Sequence, residues 1–168
     1  MIAAHPLRLS RSGVLAPEHS HAVGADARKL SRHATDVRLY LERGVSLRRV
    51  TGNALFQLET AKIEAALPNW DGYGAKPIDD AAYAYAQSFI RSLPTTTPTP
   101  DVGVDPDGEV SIDWTFGPRR ILSVSVGPSG RLVYAALVGA NRVRGTEWFR
   151  DAAPDPILDV LSRLIRTA

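Results

Sequence analysis

Between Glu109 and Val126 two runs alternate apolar and polar residues with a period of two, a third apolar run follows at 131–138, and each reversal falls on glycine, proline, asparagine or aspartate. No other feature restricts the fold as strongly. In EVSIDWT (109–115), Val110, Ile112 and Trp114 fall on one side of a strand, and Glu109, Ser111, Asp113 and Thr115 on the other. RRILSVSV (119–126) repeats the pattern, with Leu122, Val124 and Val126 opposed to Ser123 and Ser125. RLVYAALV (131–138) is apolar on both sides. The connections DPDG, FGPR, GPSG and VGAN are turn sequences, so an antiparallel meander is expected. VGV (102–104) and NRVRG (141–145) extend it to four or five strands.

Helical spacing surrounds this block. From Asp26 onward, Leu30, Ala34, Val37 and Leu41 follow an i, i+4, i+7, i+11 pattern that Gly44 ends. A second helix is expected from Thr51 or Asn53 as cap, carrying Leu55, Leu58, Ile63 and Leu67 up to Pro68. A third opens at Asp79 or Asp80 as N-cap, with Tyr83, Ala86, Phe89, Ile90 and Leu93 as its apolar stripe. LPTTTPTP (93–100) cannot continue it, because its prolines remove donors and fix φ, and reads as a stiff linker into the β part. Asp155 as cap, Pro156 at N1, and Ile157, Val160, Leu161, Leu164 and Ile165 form a closing amphipathic helix. Helices on one face of a meander give an α+β, two-layer sandwich whose second sheet face is semi-polar and open. The expected organisation is a flexible basic arm at 1–25, a basic amphipathic helix at 26–50, and a compact α+β domain at 51–168 with the linker at 94–100.

The stretch NWDGYGAKPI (69–78) lies between two of these helices. Asn69 and Asp71 suit Asx-turns, Gly72 and Gly74 can take positive φ, and Pro77 biases Lys76 towards extended geometry. Trp70 and Tyr73 are expected to pin the loop to the core, with the indole N–H finding a carboxylate or carbonyl acceptor. No strand precedes the Gly-Tyr-Gly pattern and it lacks a third glycine, which argues against a dinucleotide fingerprint; no P-loop sequence is present either. Together with VDPDGEVSIDW, ILSVSVGPSGRLVYA and RVRGTEWF, this run resembles a widespread group of small bacterial proteins that share a W-D-G-[aromatic or acidic]-G-A-x-P motif. The resemblance covers roughly residues 55–165. It implies one folded unit there and brings with it no activity, cofactor or catalytic residue.

Composition narrows the chemistry. The 168 residues suit a single domain, and 44% hydrophobic with 23% charged residues fits a globular chain. Without cysteine there is no disulfide framework, thiolate nucleophile or sulfur-ligated zinc. No apolar run suits a membrane span, and arginines and a proline interrupt the N-terminal stretch, so a cytoplasmic protein with no membrane partner is expected. The four histidines, His5, His19, His21 and His33, all precede residue 34, which leaves later serines and threonines without an imidazole base nearby in sequence. Asp101, Asp105, Asp107, Glu109 and Asp113 cluster in DVGVDPDGEVSID, but the register fails an EF-hand: with Gly108 sixth, the first position is Gly103 and the twelfth Trp114. Turn and strand geometry account for these acids, a carboxylate-dependent hydrolase being the lesser alternative. No catalytic residue, metal or cofactor is assigned.

Binding is the remaining class. Residues 1–50 hold nine basic and four acidic side chains, net +5, while the rest carries −3. Arg28, Lys29, Arg32, Arg48 and Arg49 in the first part, and Arg119, Arg120, Arg142 and Arg144 at strand ends, are candidate contacts for an acidic protein. Nucleic acid bound through residues 28–49 is the alternative, although no nucleic-acid-binding signature accompanies the charges. Trp70, Asp71 and Tyr73 in the loop, Asp113 on the open face, and Trp148 with its neighbour Phe149 complete the candidate surface. Half-exposed sheets and strand edges invite partner addition. The expectation is a non-enzymatic adaptor, antitoxin, immunity or inhibitor-type module, with a homo-oligomer also open.

Overall fold

The computed structural model describes residues 50–166. The expected arm at 1–25 and all but the last residue of the basic helix at 26–50 lie outside them. The described chain begins in helix, α1, over 50–64; α2 is Asp80–Ser92. Five strands follow: β1 (Asp101–Val104), β2 (Val110–Gly117), β3 (Arg120–Val126), β4 (Arg131–Val138) and β5 (Asn141–Trp148). Helix α3 (Asp155–Arg166) closes the unit. The strands stand in chain order and every neighbouring pair is antiparallel, as short turns between consecutive strands require. This is the expected α+β sandwich with a meander, and both outer strands are present.

Alternation decides which face is covered. Val110, Ile112, Trp114, Leu122, Val124, Val126, Leu132, Tyr134 and Ala136 are buried in one cluster with Ala82, Ala86, Phe89 and Ile90 of α2 and Ile157, Val160, Leu161 and Leu164 of α3. Burying the Trp114 indole removes ~200 Å² from water, roughly 5 kcal/mol at about 25 cal/mol per Å². Phe89 and Phe149 meet edge to face at 6.0 Å and 83°, which joins α2 to the segment just past β5. Strand β4, apolar on both sides in sequence, buries Leu132, Tyr134 and Ala136 but exposes Val133 and Ala135.

Several local expectations change. Thr51 and Asn53 lie inside α1 rather than capping it, and the helix ends at 64 rather than at Leu67. Its inward side is Ala54, Leu58 and, one step past its end, Ala65, so Ile63 and Leu67 are 70% and 72% exposed. Alanine supplies most of that inward side beside Leu58, and the larger Phe56 is 74% exposed like Ile63 and Leu67. Asp79 does cap α2, accepting from the N–H groups of Ala81 and Ala82 at 2.8 and 3.1 Å. Asp155 lies in the first turn of α3, whose opening N–H groups, those of Ile157 and Leu158, donate to the Pro154 carbonyl.

The proline-rich segment is tied down on both sides. Trp114 Nε1 donates to the Pro98 carbonyl at 2.9 Å, Gln57 Nε2 to that of Pro100 at 3.3 Å, and Gln57 Oε1 accepts from Val102 N at 3.0 Å. Among the described residues no helix is long and apolar enough to cross a membrane.

The end of the loop, residues 76–79, docks on the DPDG turn through main-chain hydrogen bonds. Lys76 N donates to Pro106 O at 2.9 Å and Asp79 N to Gly108 O at 3.0 Å. Gly108 has φ +91°, and a Cβ there would lie 2.7 Å from Pro77 O. Gly108→Ala is therefore expected to cost roughly 2 kcal/mol, from a left-handed backbone and a clash that no side chain can relieve. A lower urea midpoint at unchanged slope would report it.

Candidate functional site

The face of the sheet opposite the helices is built from three cross-strand rows. The first runs Asp101, Asp113, Ser123, Ala135, Arg144 over all five strands. A second is Gly103, Ser111, Ser125, Val133, Thr146, and a third Thr115, Ile121, Leu137, Arg142. Acidic side chains thus stand at the β1 and β2 side, small and apolar ones in the middle, and arginines on β5. A shallow groove of about 670 Å³ lies over Ile121, Ser123, Ala135 and Leu137 and is bordered by Arg142 and Arg144. Among the described residues neither guanidinium has a hydrogen-bond or ion-pair partner. Trp148, 57% exposed, sits on the same face opposite Arg131.

At one corner of this face the carboxylates are organised. The Ser125 hydroxyl donates to Glu109 Oε2 at 2.7 Å and lies 3.4 Å from Asp105 Oδ2, while Arg131 pairs with Glu109 at 3.1 Å. Asp105 is partly buried with Asp107, Asp113 and Glu109 nearby; desolvation first, then these negative charges, raise its pKa. Among the described residues no group of three or more histidine or acidic side chains is placed to hold a metal ion. Among the described residues, Ser125 faces the carboxylates of Glu109 and Asp105.

The loop residues serve the loop itself. Asn69 takes φ +63°, and Gly72 and Gly74 take +78° and +93°. Asn69 Oδ1 accepts from Gly74 N at 2.7 Å, and Asp71 Oδ1 from Tyr73 N and Ala75 N at 2.8 and 3.1 Å. Those main-chain bonds lower the Asp71 pKa. Trp70 Nε1 donates to Lys76 O at 2.8 Å, the kind of acceptor expected. Tyr73 does not pin the loop: it is 95% exposed, since the turn closes through its main chain and leaves that side chain outside.

The remaining candidates separate by position. Arg120 reaches across to the end of α3, where its Nη2 donates to Leu164 O at 2.9 Å and its guanidinium stands 5.6 Å from the Phe116 ring centroid. Arg119 is exposed at the β2–β3 turn. Phe149, expected beside Trp148 as an anchor, is buried against Phe89. Arg28, Lys29, Arg32, Arg48 and Arg49 lie outside the described residues. The structure brings Asp113, Arg142, Arg144 and Trp148 onto one face, and adds Ile121, Val133, Ala135 and Leu137, which the sequence reading did not single out. The second apolar side of RLVYAALV was the signal for three of these. Comparison with protein-family models, curated proteins and solved structures finds no match to this chain.

The acidic corner yields a pH prediction. An Asp105 pKa raised in the folded state means that the native chain binds this proton more tightly than the unfolded chain. Stability then falls as pH rises from the ordinary aspartate value of about 3.9 through the raised one, and the penalty is fully present above it. Asp105→Asn is expected to raise the melting temperature at neutral pH and to make no difference well below the aspartate range. Paired thermal melts across that span check it.

Proposed function

We propose that this chain is a non-enzymatic protein-binding module that takes an acidic partner on the open face of its sheet. One observation carries the reading: a face that no described element covers presents an apolar-floored groove whose bordering arginines, Arg142 and Arg144, are unpartnered among the described residues. An exposed arginine beside apolar surface can pair bidentately with a carboxylate as the floor is desolvated. Such anchors carry most of the energy in protein interfaces. Serines on the same rows supply hydrogen bonds without bulk, so an extended or flat partner surface fits. Adaptor, antitoxin, immunity and inhibitor proteins all work this way, by occupying a partner rather than by chemistry, and a cytoplasmic setting accords with the cysteine-free composition. The W-D-G-x-G-A-x-P resemblance is consistent with this proposal through the loop, whose motif residues are engaged in holding the turn and its contact with the sheet.

The test is affinity capture of full-length chain from native-host lysate, with and without nuclease. A stoichiometric protein that resists nuclease is expected, and its affinity for Arg142→Glu/Arg144→Glu should be weaker by about tenfold or more. Tyr73→Ala should retain it in full. Nuclease-sensitive material alone, or a protein indifferent to the double variant, would overturn the reading and direct attention to nucleic acid or to another surface.

A further inference from the structure

Strand β5 borders the sheet and runs for 8 residues, whereas β1 at the other border has only 4. Its main-chain groups with no partner among the described residues can be assigned. Phe149 N donates to Gly130 O at 2.8 Å, one step beyond the Arg131 and Trp148 pair. In an antiparallel ladder only alternate residues direct both N–H and C=O at the neighbour. Residues 141, 143, 145 and 147 therefore face β4, and Arg142, Arg144, Thr146 and Trp148 turn their main-chain groups outward. The side chains of these same four residues lie on the open face.

We propose that two copies of the chain pair through β5, antiparallel about a two-fold axis at Gly145, and so join their sheets into one. A two-fold axis normal to the sheet keeps each side chain on its own face, which limits the registers to a few. An axis at Val143 sets Arg142 against Arg144 of the second copy, and an axis at Arg144 sets the two equivalent arginines against each other. Like charges directly opposite are destabilising. With the axis at Gly145, Arg142 stands opposite Trp148 of the second copy and Arg144 opposite Thr146, and all four outward-facing residues are used. Moving the axis on to Thr146 leaves the outward groups of Arg142 unpaired.

Three features fit that register. Arg142 carries a guanidinium with no partner among the described residues, and Trp148 an indole that is 57% exposed, which together make a cation–π pair on each side of the axis. On the helix side Val143 meets Glu147, which brings no like charges together. At the axis the two glycines form a non-hydrogen-bonded pair, the kind in which Cα atoms approach to about 4.5 Å. Gly145 has no Cβ to obstruct this, and its inner side is already filled, since a Cβ there would lie 2.5 Å from the Tyr134 hydroxyl. Arginines on an edge ordinarily discourage strand addition; here they reject the wrong registers and leave one.

Sedimentation equilibrium of the full-length chain, alone and up to about 100 µM, decides the matter. A monomer–dimer equilibrium is expected. Thr146→Pro removes an outward donor at a position where proline is tolerated, because that N–H faces solvent in the monomer. It should weaken the dimer by about tenfold or more while the circular dichroism spectrum is unchanged. Trp148→Arg alters only an exposed side chain, sets a like charge against Arg142 across the axis, and should weaken the dimer likewise, even if the proline variant folds poorly. A chain that stays monomeric throughout would overturn the proposal. So would a dimer that persists in both variants, including one abolished by Ile63→Ser, which would place the contact on the outward side of α1. The open-face groove is intact in Thr146→Pro, so capture of an acidic partner by that variant separates the two readings.

Discussion

Three side chains spend their hydrogen bonds on main chain outside their own element, and they tie helices, linker and sheet together. Gln57 in α1 holds both the Pro100 carbonyl and the Val102 N–H, Trp114 in β2 holds the Pro98 carbonyl, and Arg120 in β3 holds the Leu164 carbonyl. Apolar packing brings the layers together but is indifferent to direction; these bonds are not. Two of them act on a proline-rich stretch whose prolines cannot donate, so its carbonyls need donors from elsewhere. The third satisfies a carbonyl in the last turn of α3 with a cation, as the helix dipole favours. Removing any of the three donors would leave a carbonyl short of a partner near the layer boundary, at about 1 kcal/mol or more each.

With one face so firmly committed, the other is covered by no described element, and its composition follows. Asp113, Ser123 and Ser125 alternate with the core residues of their strands because a strand buried on one side needs polar groups on the other. Beyond β3 the pattern weakens, and Val133, Ala135 and Leu137 replace the serines. The face is therefore not a uniform solvated surface. It passes from acid through apolar to basic in the space of five strands, which gives a bound partner both an orientation and a place to bury carbon.

Much of this architecture was legible in the sequence, and the reasons differ by element. The strands could be read because Val110, Ile112 and Trp114, and then Leu122, Val124 and Val126, leave no ambiguity of register. Asp79 could be read because a short acidic side chain after Pro77 has few other uses. Helix α1 misled because its inner side is largely alanine: Ala54 and Ala65 carry little hydrophobic signal, while Phe56, Ile63 and Leu67 carry much and point outward. Trp148 and Phe149 are adjacent and alike, and only the parity of β5 sends one to solvent and the other to Phe89. Of the candidate site, Arg142 and Arg144 were named but not their shared groove. That groove needs the pairing of β3, β4 and β5, which single-strand alternation does not supply.

The docking of residues 76–79 has a consequence for the order in which the molecule assembles. Lys76 and Asp79 bond to Pro106 and Gly108, about thirty positions along the chain, and the acceptors exist in the right place only once the turn before β2 has formed. Closing such a span is costly in chain entropy, whereas hairpins close locally and fast. The meander can nucleate first, then, with the W-D-G-Y-G-A loop settling on it afterwards. Contacts made after the rate-limiting barrier resist escape from the native state without hastening entry into it. On that logic the loop acts as a latch, setting how long the protein stays folded more than how quickly it folds.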